Sequence, residues 1–532
     1  MTAPSNTNNN AHAGLSPSDL TILAQHIKEQ GLPISRGIEK EGLRADSEFS
    51  ISQRNHPEAL GHPLTHPSIT TDYSEALLEL ITPVEDSREG LLKTLQDTHK
   101  FVASNIGNEV LWSGSMPCKL DGEHSIRIAE YGDSNIGRLK YVYREGLGHR
   151  YGRTMQSIAG LHFNFSINDS LWLNLKEAHG NKEQSLQDFK SEQYFALIRN
   201  FRRYSWLLMY LFGASPCLDQ SFVAGQNHCL ESFDDKGTLY KPYATSLRMG
   251  DLGYHNNAQS SLNICFNSLE NFTHTLGDAI NTSYPPYQEL GLKKGDAYLQ
   301  INTNILQIEN EYYSSIRPKR SALSGETPRH ALNERGVEYI EVRCLDLNPF
   351  LPLGISDRQV DFMDIFLSFC LLQDSPVIGD KECEYLDSNF DLVVNEGRRP
   401  GLELTDQSQK RTLSSWGLEL LKGMQGLAEV LDQATSDQRY KSALKEQLAK
   451  LDTPDLTPSA QVLSVMKKES LSWLEIAGEL SKKHQLVLSA EPAQNQFSQF
   501  EKQAQESFKQ AEEIKRSDRI SFDRYLMDYQ AQ

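Results

Sequence analysis

The hydrophobic positions of this chain change period along its length. Between Ser16 and Gly31, Leu20, Leu23 and Ile27 recur at helical spacing, which predicts a first helix starting near Ser16 or Ser18 and ending at Gly31. From Ile34 to about Phe350 a period of two dominates, interrupted by amphipathic helices over Arg88 to Ile106 and Glu192 to Phe212. The runs 299–304 and 307–313 carry Gln, Asn, Glu and Tyr on one side and aliphatic residues on the other, which predicts two strands. The slip of phase at Ile305 and Leu306 predicts a bulge between them. Beyond about Pro400 the period returns to helical. Trp416, Leu420, Met424, Leu427 and Leu431 form one stripe, and helices are expected from Pro458 to Leu480 and from Gln494 to Ile514. Strands and helices segregate without regular βαβ alternation, so the class expected is α+β: a curved, mainly antiparallel sheet with surrounding helices and a helical C-terminal part. The boundaries expected are a disordered extension over residues 1–18, a main domain over 19–400, and a helical region over 401–532 packed on that domain.

The polar positions inside the strands are more informative than the apolar ones. Glu39 and Glu41 are two residues apart, so in an extended strand both side chains point the same way, and the same holds for Glu341 and Arg343. Asp72 and Glu79 bracket a short apolar run, and His162 sits in the alternating Leu161-His162-Phe163-Asn164-Phe165. A sheet face lined with acids needs cations. Carboxylates and one imidazole, with no cysteine among them, suit hard ions such as Mg2+ or Mn2+, which most often serve phosphoryl transfer. The chain has no G-x-x-x-x-G-K-[ST] loop and no G-x-G-x-x-G turn, so neither common glycine cradle would hold a nucleotide.

Composition narrows the partners. The net charge of -18 argues against nucleic acid, because phosphate backbones are bound by a surplus of lysine and arginine. The longest apolar stretch, Trp206 to Ala214, is about half of what a membrane span requires, and residues 1–18 lack the features of a signal or transit peptide. Seven scattered cysteines without a C-x-x-C pair argue against a disulfide framework or zinc site, and the cytoplasm is the expected compartment.

An ordered set of motifs adds a family resemblance. It comprises Arg36-Gly37-Ile38-Glu39-Lys40-Glu41, His56-Pro57-Glu58-Ala59-Leu60-Gly61, Thr70-Thr71-Asp72-Tyr73-Ser74-Glu75-Ala76-Leu77-Leu78-Glu79, Ser115-Met116-Pro117-Cys118 and Tyr143-Arg144-Glu145-Gly146-Leu147. It continues through Pro242-Tyr243-Ala244-Thr245-Ser246-Leu247-Arg248, Ile316-Arg317-Pro318-Lys319-Arg320 and Glu338-Tyr339-Ile340-Glu341-Val342-Arg343. From about Ile34 to Gly401 the chain resembles glutamate-cysteine ligase of the proteobacterial type, which opens glutathione biosynthesis. The resemblance implies a funnel-shaped antiparallel sheet related to glutamine synthetase, and an ATP-consuming reaction of L-glutamate with L-cysteine through γ-glutamyl phosphate. It implies Mg2+ ligands at Glu39, Glu41, Asp72, Glu79, His162 and Glu341, with Arg343, Glu341 and Glu79 as catalytic residues. It further implies substrate contacts from Tyr143, Arg144, Ile158, Arg248, Tyr254 and Tyr313, nucleotide contacts from Arg317, Lys319 and Arg320, and a monomer. Two other readings remain open on the residues: a carboxylate-amine ligase using a different amine, and a non-catalytic binding protein with the same fold.

Overall fold

The computed structural model describes residues 15–252, 262, 264–323, 325–490 and 497–532. Residues 1–14 of the expected N-terminal extension, and Tyr254, lie outside the described residues. The first helix spans Pro17–Gln30. Ser16 caps it by accepting from the Asp19 amide, and Gly31, at φ 86, ends it in a conformation that favours glycine.

The centre is a seven-stranded antiparallel sheet. Its strands are β1 (Ile34–Ala45), β2 (Ile69–Thr71), β3 (Leu77–Ile81), β4 (Val110–Leu111), β5 (Leu161–Ile167), β6 (Ile316–Lys319) and β7 (Tyr339–Leu345). They lie in the order β6-β7-β5-β1-β3-β2, with β4 paired to the far end of β1, and the sheet does not close into a barrel. Glu39 faces His162 on β5 and Ile81 on β3; Glu41 faces Glu79; Glu341 faces both Asn164 and Arg317. The period-two rule then puts Glu39, Glu41, Glu79, His162, Arg317, Lys319, Glu341 and Arg343 on one face. Ile38, Leu78, Leu80, Phe163, Phe165, Ile340, Val342 and Cys344 occupy the other, each fully buried.

Helices cover that apolar face. Leu186–Phe212 is almost wholly buried and packs against Asp357–Leu372, which in turn meets Arg439–Asp452. Residues beyond 401 share this core, including Leu404, Trp416, Leu420, Met424 and Trp473. A buried ion pair ties the layers together. Arg36 at the start of β1 donates from Nε to Asp364 Oδ1 at 2.8 Å and from a terminal nitrogen to Oδ2 at 2.6 Å, and the Tyr440 hydroxyl donates to Oδ2 at 3.0 Å.

Three expectations are corrected. The runs 299–304 and 307–313 are not strands but an irregular segment ending in a 3-10 turn over Glu309–Glu311. Their polar residues serve side-chain bonds rather than a sheet face: Asn302 Oδ1 accepts from the Asn304 amide, and Gln300 and Gln307 are buried among backbone groups. The stripe from Trp416 to Leu431 is two helices, Leu413–Gly423 and Gln425–Leu431. The expected helix Pro458 to Leu480 is also two, Pro458–Glu469 and Trp473–Leu488, because Ser470 adopts φ 55 and Ser472 with Glu475 forms a capping box that starts the second. The helix foreseen from Gln494 spans Ser498–Ser517, residues 494–496 lying outside the described residues.

Candidate active site

The polar sheet face opens into a cavity of about 760 Å3. Its floor is laid by strand register. His162 stands between the acids, with Nδ1 3.6 Å from Glu39 Oε2 and 3.5 Å from Glu341 Oε1, and Nε2 3.5 Å from Glu41 Oε1. Donor atoms of Glu39, Glu79 and His162 lie within 4.8 Å of one another. Arg343 reaches Glu341 Oε1 at 3.0 Å, and Lys319 stands 3.3 Å from Oε2 of the same carboxylate. Asn164 donates to Glu39 Oε1 at 2.9 Å, and the Gly160 amide donates to Glu41 Oε2 at 2.5 Å. Asp72, from the turn between β2 and β3, also lines the cavity; Arg144 donates to its backbone oxygen.

The charges divide the acids into two groups. Burial pushes the Glu341 carboxyl up, but Lys319, Arg343, His162 and Arg317 outweigh it and hold the group well below the usual carboxylate range. Glu39 also ends below its ordinary value, because its bond to His162 and the charge of Lys319 outweigh burial. Glu79 is driven the opposite way, well above the carboxylate range, by burial and by the charges of Glu39, Asp72 and Glu41. Glu41 is raised, chiefly by burial. Burial beside Arg343 lowers Arg317 to about 10. A buried cluster in which one acid is forced toward its neutral form, by burial first and then by neighbouring carboxylates, is short of positive charge. Its donors, carboxylate oxygens with one imidazole nitrogen, fit a hard divalent ion.

The walls come from elsewhere. The helix Asn135–Tyr151 presents Tyr143, Arg144, Leu147, Arg150 and Tyr151 to the cavity, and the irregular segment presents Asn310, Glu311 and Tyr313. Burial raises the Tyr143 hydroxyl above its ordinary value and the Tyr313 hydroxyl to about 12, so both stay protonated. Three expected residues stand off the lining. Ile158 is buried in the core. Arg248 is buried, donating to the Arg343 backbone oxygen at 2.9 Å and standing 3.7 Å from Asp346. Arg320 turns toward Gln187. Sequence reasoning missed Arg150, Tyr151, Gln156, Tyr287 and Glu311. A signal existed for the helical ones, since positions 143, 147, 150 and 151 fall on one helix face.

Kinship agrees with this geometry. A sequence profile described as glutamate-cysteine ligase matches residues 20–393. The chain belongs to the glutamate-cysteine ligase family. Relatives named glutamate–cysteine ligase include one from Pseudomonas putida, 52% identical over 496 residues and covering 93% of this chain and 94% of the relative. Another, from Azotobacter vinelandii, is 51% identical over 498 residues with the same coverages. A crystal structure of glutamate–cysteine ligase from Francisella tularensis in complex with AMP superposes with a TM-score of 0.87 at 35% identity, covering 94% of this chain and 98% of that one. A bifunctional glutathione synthetase from Pasteurella multocida matches at a TM-score of 0.69 and 25% identity, covering 88% of this chain and 54% of that longer one. Every strand that carries the acidic floor falls inside the span matched by the family profile.

Proposed function

We propose that this chain is an ATP-dependent ligase that joins the γ-carboxylate of L-glutamate to the amine of L-cysteine. The observation that carries the reading is the sheet face itself: five acids, His162 and Arg343 converge on one cavity in a chain of this family. Glu39, Glu41, Asp72, Glu79, His162 and Glu341 would hold Mg2+, with Mn2+ as the alternative ion. Bound there, such ions would neutralise phosphate oxygens and the substrate carboxylate, which otherwise repel each other.

The chain's own groups then have defined work. Arg343 and Lys319, both anchored by Glu341, present positive charge where the γ-phosphate of ATP would lie, and Arg317 stands next to them. A γ-carboxylate oxygen of glutamate attacks the γ-phosphorus, the bond to the β-phosphate oxygen breaks, and ADP leaves. The amine of cysteine next attacks the acyl carbon of γ-glutamyl phosphate; the carbon–oxygen bond breaks, phosphate leaves and the amine gives up a proton. No protein nucleophile is needed, and the described cysteines are free thiols, with Cys344 in the core. Tyr143 and Tyr313 would flank the cysteine, with Arg144 as the partner for substrate carboxylates. A monomer is part of the same reading. Among the described residues no helix is long and apolar enough to cross a membrane. Free thiols fit a cytoplasmic location.

The test is ADP release from Mg-ATP with glutamate, with and without cysteine, and the product identified by mass. Cysteine-dependent formation of γ-glutamylcysteine is the expected result. Turnover with another amine but not cysteine would overturn the acceptor, and none with any amine would overturn the ligase.

A further inference from the structure

The acceptor wall lies outside the seven-stranded sheet, with one isolated antiparallel bridge, Ser283 to Asn304, on its irregular segment. It is made by the helix Asn135–Tyr151, carrying Tyr143, and by the irregular segment that carries Tyr313. Buried polar side chains join the two. Arg150, in the last turn of the helix, donates from Nε and a terminal nitrogen to Gln300 Oε1 at 3.0 and 2.8 Å, and to the Asn302 backbone oxygen at 2.7 Å. Its other terminal nitrogen donates to Glu311 Oε1 at 2.9 Å, and the side chains of both partners are fully buried. The Tyr151 hydroxyl donates to the same Glu311 oxygen at 2.5 Å, and the Gln307 amide donates to Oε2. Gln307 closes the circuit. Its side chain accepts from the Ile301 amide at 2.9 Å and donates to the Tyr143 backbone oxygen at 3.2 Å. Gly146 makes room for this, since a Cβ there would collide with the Gln307 side chain.

A buried ion pair is weak evidence for stability, because desolvation offsets its attraction; what such a network does supply is a single geometry. Here the geometry it sets is the spacing between two aromatic walls. Glu311 lies two residues from Tyr313, and Gln307 bonds directly to the backbone of Tyr143. None of Arg150, Gln300, Gln307 or Glu311 comes from the seven-stranded sheet, and the sheet meets their segment through Arg317, which donates to the backbone oxygens of Asn310 and Tyr312 on either side of Glu311.

We propose that the Arg150–Gln300–Gln307–Glu311 network is a positioning device for the amine acceptor, setting the distance between Tyr143 and Tyr313 and through it the affinity for the second amino acid. This rests on the ligase reading above, with Tyr143 and Tyr313 flanking that substrate. Its link to the phosphoryl-transfer floor runs through the backbone bonds of Arg317 and not through the acids, so acceptor binding responds more than glutamate activation when the network is loosened.

The experiment is steady-state kinetics of the full chain with glutamate, cysteine and ATP varied in turn, for wild type, Glu311→Gln and Gly146→Ala. Gly146→Ala guards against a simple folding defect, because alanine favours a helix over glycine while its Cβ displaces Gln307. KM for cysteine is expected to rise about tenfold in both variants. KM for glutamate and for ATP should stay within about twofold, and kcat at saturating cysteine within about threefold. The double variant should be no worse than about the larger single effect, because both changes act on one network. An unchanged KM for cysteine in both variants would overturn the proposal. So would a parallel loss in kcat and in all three KM values with a lowered Tm, the mark of a structural role alone. Wild-type protein without amine-dependent turnover would instead remove the ligase reading, and the inference with it.

Discussion

Replacing Glu79 with glutamine should make the metal-free protein more stable while abolishing its activity. Among the described residues the Glu79 carboxyl makes no side-chain hydrogen bond or ion pair, and its donor oxygen lies within 4.8 Å of the donor atoms of Glu39 and His162. At that separation two unit charges repel by about 3 kcal/mol for an effective dielectric of about 20. Arg343 offsets part of this, and the raised Glu79 pKa lets a proton relieve part of the rest. A net gain of about 2 kcal/mol for Glu79→Gln at pH 8 is therefore the expected size. For 532 residues the entropy of unfolding is about 1 kcal/mol per degree, so the shift in Tm is about 2 °C. The sign with pH follows from the direction of the shift. The folded state keeps a proton that the unfolded chain gives up above about pH 4.5, so wild-type stability from this group is present below that value and is lost as pH rises through the folded value. The gap between variant and wild type should accordingly vanish near about pH 4 and widen toward alkaline pH. The assay is thermal melting of both proteins in chelator, repeated with Mg2+, where wild type should gain more than the variant. A variant that melts below wild type in chelator at pH 8 would refute the repulsion argument and the cation requirement built on it.

Other outcomes rest on the same contacts. Arg343→Ala should lower kcat by about a hundredfold or more, since it removes the charge proposed to meet the transferring phosphoryl group. Circular dichroism should show the fold retained, and turnover within about tenfold of wild type would remove Arg343 from the chemistry. Chelator should stop turnover and Mg2+ restore it, with Tm rising as the ion is titrated in; a metal-independent rate would contradict the proposed ligand set. Lys40, on the apolar face with its ammonium 2.8 Å from His99 Nε2, is lowered by burial to about 7. Its unfolded form binds the extra proton between that value and about 10.4, so stability should rise with pH across this window. Lys40→Met should flatten that rise and stabilise the protein at pH 7 by about 2 kcal/mol; an unchanged pH profile in urea unfolding would sink the account. Asp364→Asn should destabilise by about 3 kcal/mol or more, because Arg36 would be left buried without its counter-charge, and a loss under about 1 kcal/mol in the same assay would mean the pair is replaceable.

The acidic floor was legible in the sequence because strand geometry is local. Residues two apart share a face whatever the rest of the chain does, so spacing alone places Glu39 with Glu41, and Glu341 with Arg343. What periodicity could not separate is a polar strand face from a row of buried amide cross-links. Gln300, Asn302 and Gln307 alternate with aliphatic residues as a half-exposed strand would, yet two of them are buried and bonded to Arg150 and to backbone groups. The break at Ser470 was within reach, since Ser472 and Glu475 carry the spacing of a capping box; the helical stripe on either side masked it. Arg248 shows the other limit, for a motif does not tell whether a buried guanidinium reaches a substrate or bonds a neighbouring backbone, as this one does to the Arg343 oxygen. These successes and failures sort by chemistry. Phosphoryl transfer needs cations held on a rigid face, and a rigid face is a short-range pattern. On the proposed reading, selection of the acceptor needs two walls brought together across more than 150 residues, from Tyr143 to Tyr313, and no local period encodes that distance. Reaction class should therefore be readable from single sequences of this family more readily than acceptor preference. Substitutions that alter the preference should fall in the buried contacts between walls more often than in the acids beneath them.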